Sequence, residues 1–124
     1  MSTPAFMKSP YFVLDQAEEF MDYLRDGWHF DVLCRSGAYL RNSYWYGEWV
    51  VVLVSPDEKQ EIPLLKARRG GTADDMRLFK TVNGIYSFCK QYCVRSPIIP
   101  SVAGDRERQK VSLSDWEEAK GEPG

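Results

Sequence analysis

The chain predicts an α+β fold: a small, twisted, mostly antiparallel sheet with two helices packed on one face, a loose N-terminal arm and a polar C-terminal tail. Three observations carry this. DQAEEFMDYLRDG and TVNGIYSFCKQYCV repeat apolar residues at helical spacing behind a capping residue. Between them, WHFDVLCRS alternates and WVVVLV is continuously apolar, as half-buried and fully buried strands are. The connections are short, which suits antiparallel neighbours and helices gathered on one side of a sheet.

At 124 residues, with 44% hydrophobic and 14% aromatic content, the chain has the size and composition of one globular domain with a real core. Its expected organisation is an arm over residues 1–10, a single domain over 11–102 and a polar tail over 103–124 with one short helical turn. In the first helix, Asp15 and Glu18 form a capping box. Ala17, Phe20, Met21 and Leu24 make the apolar stripe, and Gly27 supplies the stop. The helix is expected over about residues 16–26.

The strand that follows places Trp28, Phe30, Val32 and Cys34 on one face, and Ser36-Gly37 reads as its turn. Residues 38–55 read as one or two further strands, with Asn42-Ser43 and Gly47-Glu48 both serving as candidate turns. SPDEKQ is a loop. EIPLLKAR is a strand in which Pro63 points to an edge or a strand start. RRGGTADD is a turn across which MRLFK pairs back. Thr81 caps the second helix, whose stripe is Val82, Ile85, Phe88, Cys89 and Tyr92. SPIIPSV reads as a last short strand broken by prolines.

A formal charge of −2 and a pI near 5.4 argue against a surface built wholly for nucleic acid. The charge is unevenly spread. Residues 11–40 hold six acids against Arg25 and Arg35, while residues 61–100 hold seven bases against Glu61, Asp74 and Asp75. The first ten residues lack a charged start followed by an apolar core, and three cysteines suggest reduced thiols, so a cytoplasmic location is expected. No apolar run reaches the ~18–20 residues that span a membrane.

Motifs for catalysis are missing: the chain carries no G-x-S-x-G, Walker or H-E-x-x-H pattern, and one histidine. A thiol enzyme would have to use Cys34, Cys89 or Cys93 with His29. The same four residues are the only candidate metal set, and they lack the tight turn-borne cysteine pair of structural zinc sites. No enzyme activity, metal or cofactor is expected.

Binding chemistry is better represented. Lys66, Arg68, Arg69, Arg77 and Lys80 flank the Gly70-Gly71 pair. If the two flanking strands pair, these cations gather into a patch that suits phosphate or carboxylate. Asp74 and Asp75 in the same loop favour a protein or nucleoprotein partner over direct DNA binding. Tyr44, Trp45 and Tyr46 lie in YWYGEW, and an outward Tyr/Trp face near arginine is a protein-contact composition. A homodimer is compatible with such a face. Glu18, Glu19, Asp22 and Asp26 form an alternative acidic face on the first helix that would imitate a phosphate backbone, as an anti-defence inhibitor such as an anti-CRISPR would.

Leu65, Ala67, Arg68, Gly70, Gly71, Arg77, Phe79 and Thr81, with Phe88 on the next helix, make a strand–turn–R-x-F-x-T–helix unit. This unit resembles the small plasmid partition-associated proteins of the ParC/KfrB type, over about a quarter of the chain. The doubled arginine, the longer acidic loop and Cys89 and Cys93 depart from that pattern. The resemblance implies an accessory protein of a bacterial mobile element, acting in plasmid or integrative-element maintenance, without catalytic residues.

Overall fold

The computed structural model of the chain describes residues 12–13, 17–65 and 76–115. The elements in chain order are β1 (Phe12–Val13), α1 (Ala17–Arg25), β2 (His29–Arg41), β3 (Tyr44–Val54), β4 (Glu61–Leu65), β5 (Phe79–Thr81), α2 (Val82–Gln91) and β6 (Arg106–Arg108). The strands form one twisted sheet in the order β1-β4-β3-β2-β6, with β5 also paired to β3. All pairings are antiparallel except β1 with β4. The expected α+β architecture is the observed one.

Both helices bury their stripes against the same face of the sheet. Phe20, Met21 and Leu24 of α1 and Ile85, Phe88 and Cys89 of α2 share one core with Phe30 and Val32 of β2 and Trp49, Val51 and Leu53 of β3. At its centre the Phe20 ring lies 4.5 Å from Tyr92 and 5.4 Å from Phe30, and Phe88 lies 5.2 Å from Phe79. Each such ring contributes ~1.5–3 kcal/mol by leaving water, so truncating Phe20 would cost several times the worth of any surface ion pair.

The ends of α1 and α2 follow from single residues. Gly27 takes φ of 96°, Trp28 N–H donates to Tyr23 O (3.1 Å) and Gly27 N–H to Leu24 O (3.2 Å). That is a Schellman closure. Its usual apolar clasp is present too, as the Trp28 and Tyr23 rings meet at 4.9 Å. At α2, Thr81 Oγ1 accepts from Gly84 N–H at 3.0 Å, as the N-cap expectation requires.

Four expectations give way. Ser36-Gly37 is not a turn. β2 runs through it, with register shifts between Cys34 and Ser36 and between Ser36 and Tyr39 that absorb the extra residues as bulges. The turn is Asn42-Ser43, with φ of 53° and 71°, the two-residue geometry that matches the twist of a hairpin. Residues 97–102 form no strand. They run beside β2, where Ser101 O accepts from Ala38 N–H and Pro100 O from the Trp49 indole N–H. The domain does not end at residue 102 either, because β6, inside the supposed tail, pairs with β2 over Asp31–Leu33. Residues 113–115 of that stretch are helical.

The fourth correction concerns the glycine pair. β4 pairs with Val52–Val54 of β3, and β5 pairs with Tyr46 and Trp49 of the same strand. They are therefore successive partners along one edge of β3, not the two arms of a hairpin. The long β3, apolar and buried from Trp49 to Val54, offers more pairing and burial than a short strand could. The intervening excursion closes where Arg77 N–H donates to Leu64 O at 2.9 Å.

The other face of the sheet is closed differently. Val50, Val52 and Val54 are buried there with Leu33 and Leu78 against them. Arg106 on β6 donates to Asp31 on β2 (2.7 Å) and to Glu61 on β4 (2.8 Å), so its side chain crosses β2 and β3. Arg108 also pairs with Asp31, and with Glu58 at 3.6 Å. Amphipathic arginine stems cover apolar surface in this way while their heads stay solvated.

Candidate interaction surface on the β2–β3 hairpin

Past the bulges, β2 and β3 continue as a ribbon that β5 flanks as far as Tyr46. Register pairs Tyr39 with Tyr46, Leu40 with Trp45 and Arg41 with Tyr44. Directly paired residues share a face, and residues two apart along a strand share it too. Tyr39, Tyr44, Tyr46 and Arg41 therefore share one face of the ribbon, and Leu40 and Trp45 the other. Tyr39 and Tyr46 stack, with centroids 5.9 Å apart and planes within 28°.

The ribbon is unusual in what it leaves in solvent. Tyr44 is 66% exposed, Leu40 58%, Tyr39 50% and Trp45 50%. Given the ~150–250 Å² a whole aromatic side chain presents, these four expose roughly 450 Å² in total, divided between the two faces of the ribbon. Beside them lies a shallow, open groove of about 370 Å³ lined by Tyr44, Trp45, Tyr46, Thr81 and Asn83. It exists because β5 ends at Thr81 and the chain turns into α2, leaving the last residues of the ribbon without a neighbour strand on that side.

A locked junction sets the direction of the ribbon. Gly47 is buried, and a Cβ built on it would lie 2.7 Å from Trp49 Cη2 and 3.0 Å from Ser36 O. The fully buried Trp49 indole occupies that space and donates to Pro100 O at 2.7 Å. Only glycine lets the indole fold back across the strand at this point.

The sequence-expected site residues divide as follows. Tyr44 and Trp45 are exposed and Tyr46 half-buried, all on the ribbon. Lys80 is exposed and lies 3.8 Å from Glu48. Arg77 is half-buried. Its guanidinium stacks over Phe79 at 4.5 Å, and its Nη1 donates to Leu78 O, so it serves its own chain. Lys66, Arg68, Arg69, Gly70, Gly71, Asp74 and Asp75 lie outside the described residues. So does the Glu18 side chain. Glu19 and Asp22 of α1, with Asp26 in the turn that follows it, lie away from the buried residues, and Asp22 is tied to Arg25 at 2.7 Å. Sequence reasoning missed Tyr39, Leu40, Arg41, Thr81 and Asn83. Choosing the Asn-Ser turn would have found the first three, because it places them opposite Tyr46, Trp45 and Tyr44.

The thiols are set apart from the histidine. Cys34 pairs with Trp49 on the core face, whereas His29 pairs with Val54 on the opposite one. Burial pushes the Cys89 thiol up to about 12. Burial also raises Cys34, with Asp105 adding to it, and raises Cys93 together with Asp115. Among the described residues no group of three or more His, Cys, Asp or Glu side chains converges, and no helix is long and apolar enough to cross a membrane. Asp31 is held by two opposing effects. Burial raises its carboxyl, and the hydrogen bonds and charges of Arg108 and Arg106 bring it below the ordinary value.

No protein-family model, curated protein or solved structure matches this chain.

Proposed function

We propose that the chain is a non-enzymatic accessory protein of a bacterial mobile element that acts by binding a protein partner through the tip of the β2–β3 ribbon. The observation that carries the binding reading is the exposure of Tyr39, Leu40, Tyr44 and Trp45 on a ribbon whose base is locked by Gly47 and Trp49. Rigid, projecting aromatics lose little entropy on docking and supply the anchors on which protein interfaces concentrate their energy. The mobile-element setting rests on the resemblance to ParC/KfrB-type proteins. The basic patch contributes less to this reading than the ribbon, because Arg77 is engaged within the chain and Lys80 faces Glu48.

The test is cross-linking in the native host, followed by calorimetry with the purified partner. Tyr44→Ala/Trp45→Ala is expected to weaken binding at least ~30-fold, the scale of a hot-spot loss of ~2 kcal/mol, with no change in melting temperature. An unchanged affinity would refute the surface.

The acidic stripe on α1 supports a second reading, phosphate mimicry against a nucleic-acid-processing complex of the host. The stripe is one short helix long and Asp22 is partly neutralised by Arg25, so it ranks below the ribbon. Charge reversal at Glu19 and Asp26 would abolish inhibition under that reading and leave ribbon-mediated binding intact.

A further inference from the structure

We infer that β6 is a pH-sensitive latch, closed on β2 while His29 is neutral and released when mild acid charges the imidazole. This device lies at the other end of β2 from the ribbon tip and works whatever the ribbon binds.

β6 is three residues long, ends the sheet and pairs with β2 over Asp31–Leu33. Arg108 stands opposite Asp31 in that ladder and donates to its carboxylate, as Arg106 does at 2.7 Å. One buried anion therefore holds both guanidiniums of the strand. His29 comes two residues before Asp31 on β2, and so shares its face. The His29 Nε2 is enclosed and has no hydrogen-bond partner among the described residues. A neutral imidazole tolerates this, because it can carry its hydrogen at Nδ1 and leave Nε2 bare. An imidazolium does not. Both nitrogens then carry hydrogen, and a charged N–H is shut away without an acceptor.

The surrounding charges oppose the imidazolium further. Arg108 approaches from β6, Glu58 from the β3–β4 loop and Asp31 from β2 itself. Glu61 lies in the same row of the sheet, across Val54, and Lys110 follows Gln109, whose N–H donates to Phe30 O at 3.0 Å. The carboxylates are already engaged: Asp31 by both arginines, Glu58 by Arg108 at 3.6 Å and Glu61 by Arg106 at 2.8 Å. A charged His29 competes with Arg108 for Asp31 and repels it. Burial, then Arg108, lower His29 from its ordinary 6.5, against the smaller opposing pull of Glu58 and Asp31. The stabilisation is complete above 6.5 and is lost as pH falls through the lower folded-state value. Asp31, which titrates below 3.8, stays ionised in that range. The short terminal strand gives way first. Its release lifts two arginine stems from the Val50, Val52 and Val54 face.

Two NMR measurements on the full chain test this. The ring of His29, the sole histidine, is expected to titrate below 6.5, and higher in Arg108→Gln than in wild type. Amide exchange, corrected for intrinsic rate, reads the latch between about pH 7.5 and about pH 5.5, where histidine is the side chain whose ordinary titration falls. Gln109 N–H and Cys34 N–H, which donate to Phe30 O and Asp105 O, should lose roughly threefold or more in protection, while the β3–β4 ladder over Val52–Val54 holds steady. In His29→Leu that loss should vanish. A His29 ring titrating at or above 6.5, unchanged protection at Gln109 and Cys34, an equal loss across the β3–β4 ladder, or a loss that persists in His29→Leu would each overturn the latch.

Discussion

Gly47→Ala is the most informative single change, because it strikes the junction between domain and ribbon with one methyl group. The new Cβ would sit 2.7 Å from Trp49 Cη2 and 3.0 Å from a backbone carbonyl. The carbonyl cannot retreat without breaking the β2 bulge, so the indole must move. Forced overpacking costs ~1–3 kcal/mol. Moving the indole away from Pro100 O, a buried acceptor 2.7 Å distant, costs ~1–3 kcal/mol more. Alanine recovers ~0.5–1 kcal/mol over glycine within a strand. The midpoints sum to a destabilisation of about 3 kcal/mol. With a urea m-value of ~1.5 kcal/mol/M, the unfolding midpoint falls by about 2 M. Tryptophan fluorescence in a urea titration reads this directly. Adding Trp49→Leu to Gly47→Ala removes the collision, so the pair should cost at least ~1 kcal/mol less than the sum of the singles. A Gly47→Ala protein within ~0.5 kcal/mol of wild type, or strict additivity of the pair, would refute the account of how the ribbon is aimed.

Three further outcomes are expected. Asp31→Asn leaves Arg106 and Arg108 without their shared anion and should cost about 2–3 kcal/mol, below the full cost of breaking a buried pair because both arginines are partly solvated. The sign in pH follows from the depressed folded-state carboxyl. The stabilisation is in place above the ordinary value of 3.8 and is lost as pH falls through the folded-state value, so wild type and Asp31→Asn should converge in acid and diverge at neutral pH in thermal melts. Gly27→Ala should cost about 1–2 kcal/mol, because alanine resists a φ of 96° and its Cβ would lie 3.3 Å from Pro56 Cγ. With every thiol raised by burial, iodoacetamide at neutral pH should modify Cys34, Cys89 and Cys93 slowly in the native protein and fast in urea. Rapid, selective alkylation of one of them would revive a thiol mechanism.

Local patterns determine much of this protein by themselves. The stripes Phe20-Met21-Leu24 and Ile85-Phe88-Cys89 each have one way to leave water, and both reach the core through it. Thr81 and Gly27 act within one helical turn, where backbone geometry alone decides the outcome. The unbroken Trp49–Val54 run can only be a strand buried on both faces. Legible, too, was the aromatic content of the tip, though not its position in space.

Tertiary structure decided what depends on choosing among partners. Ser36-Gly37 and Asn42-Ser43 both carry turn chemistry. The second wins because it lets β2 and β3 pair over their full length, and the first survives as a bulge. The strands flanking Gly70-Gly71 have short-range reason to pair with each other, yet both align on β3, where more burial is available. Arg106-Glu-Arg108 looks like solvated tail until Asp31, 75 residues away from Arg106, offers a buried carboxylate that only two guanidiniums can satisfy. Short-range propensity is written in each residue and its neighbours. Competition between distant pairings is settled by total buried area and satisfied charge, which no local window contains.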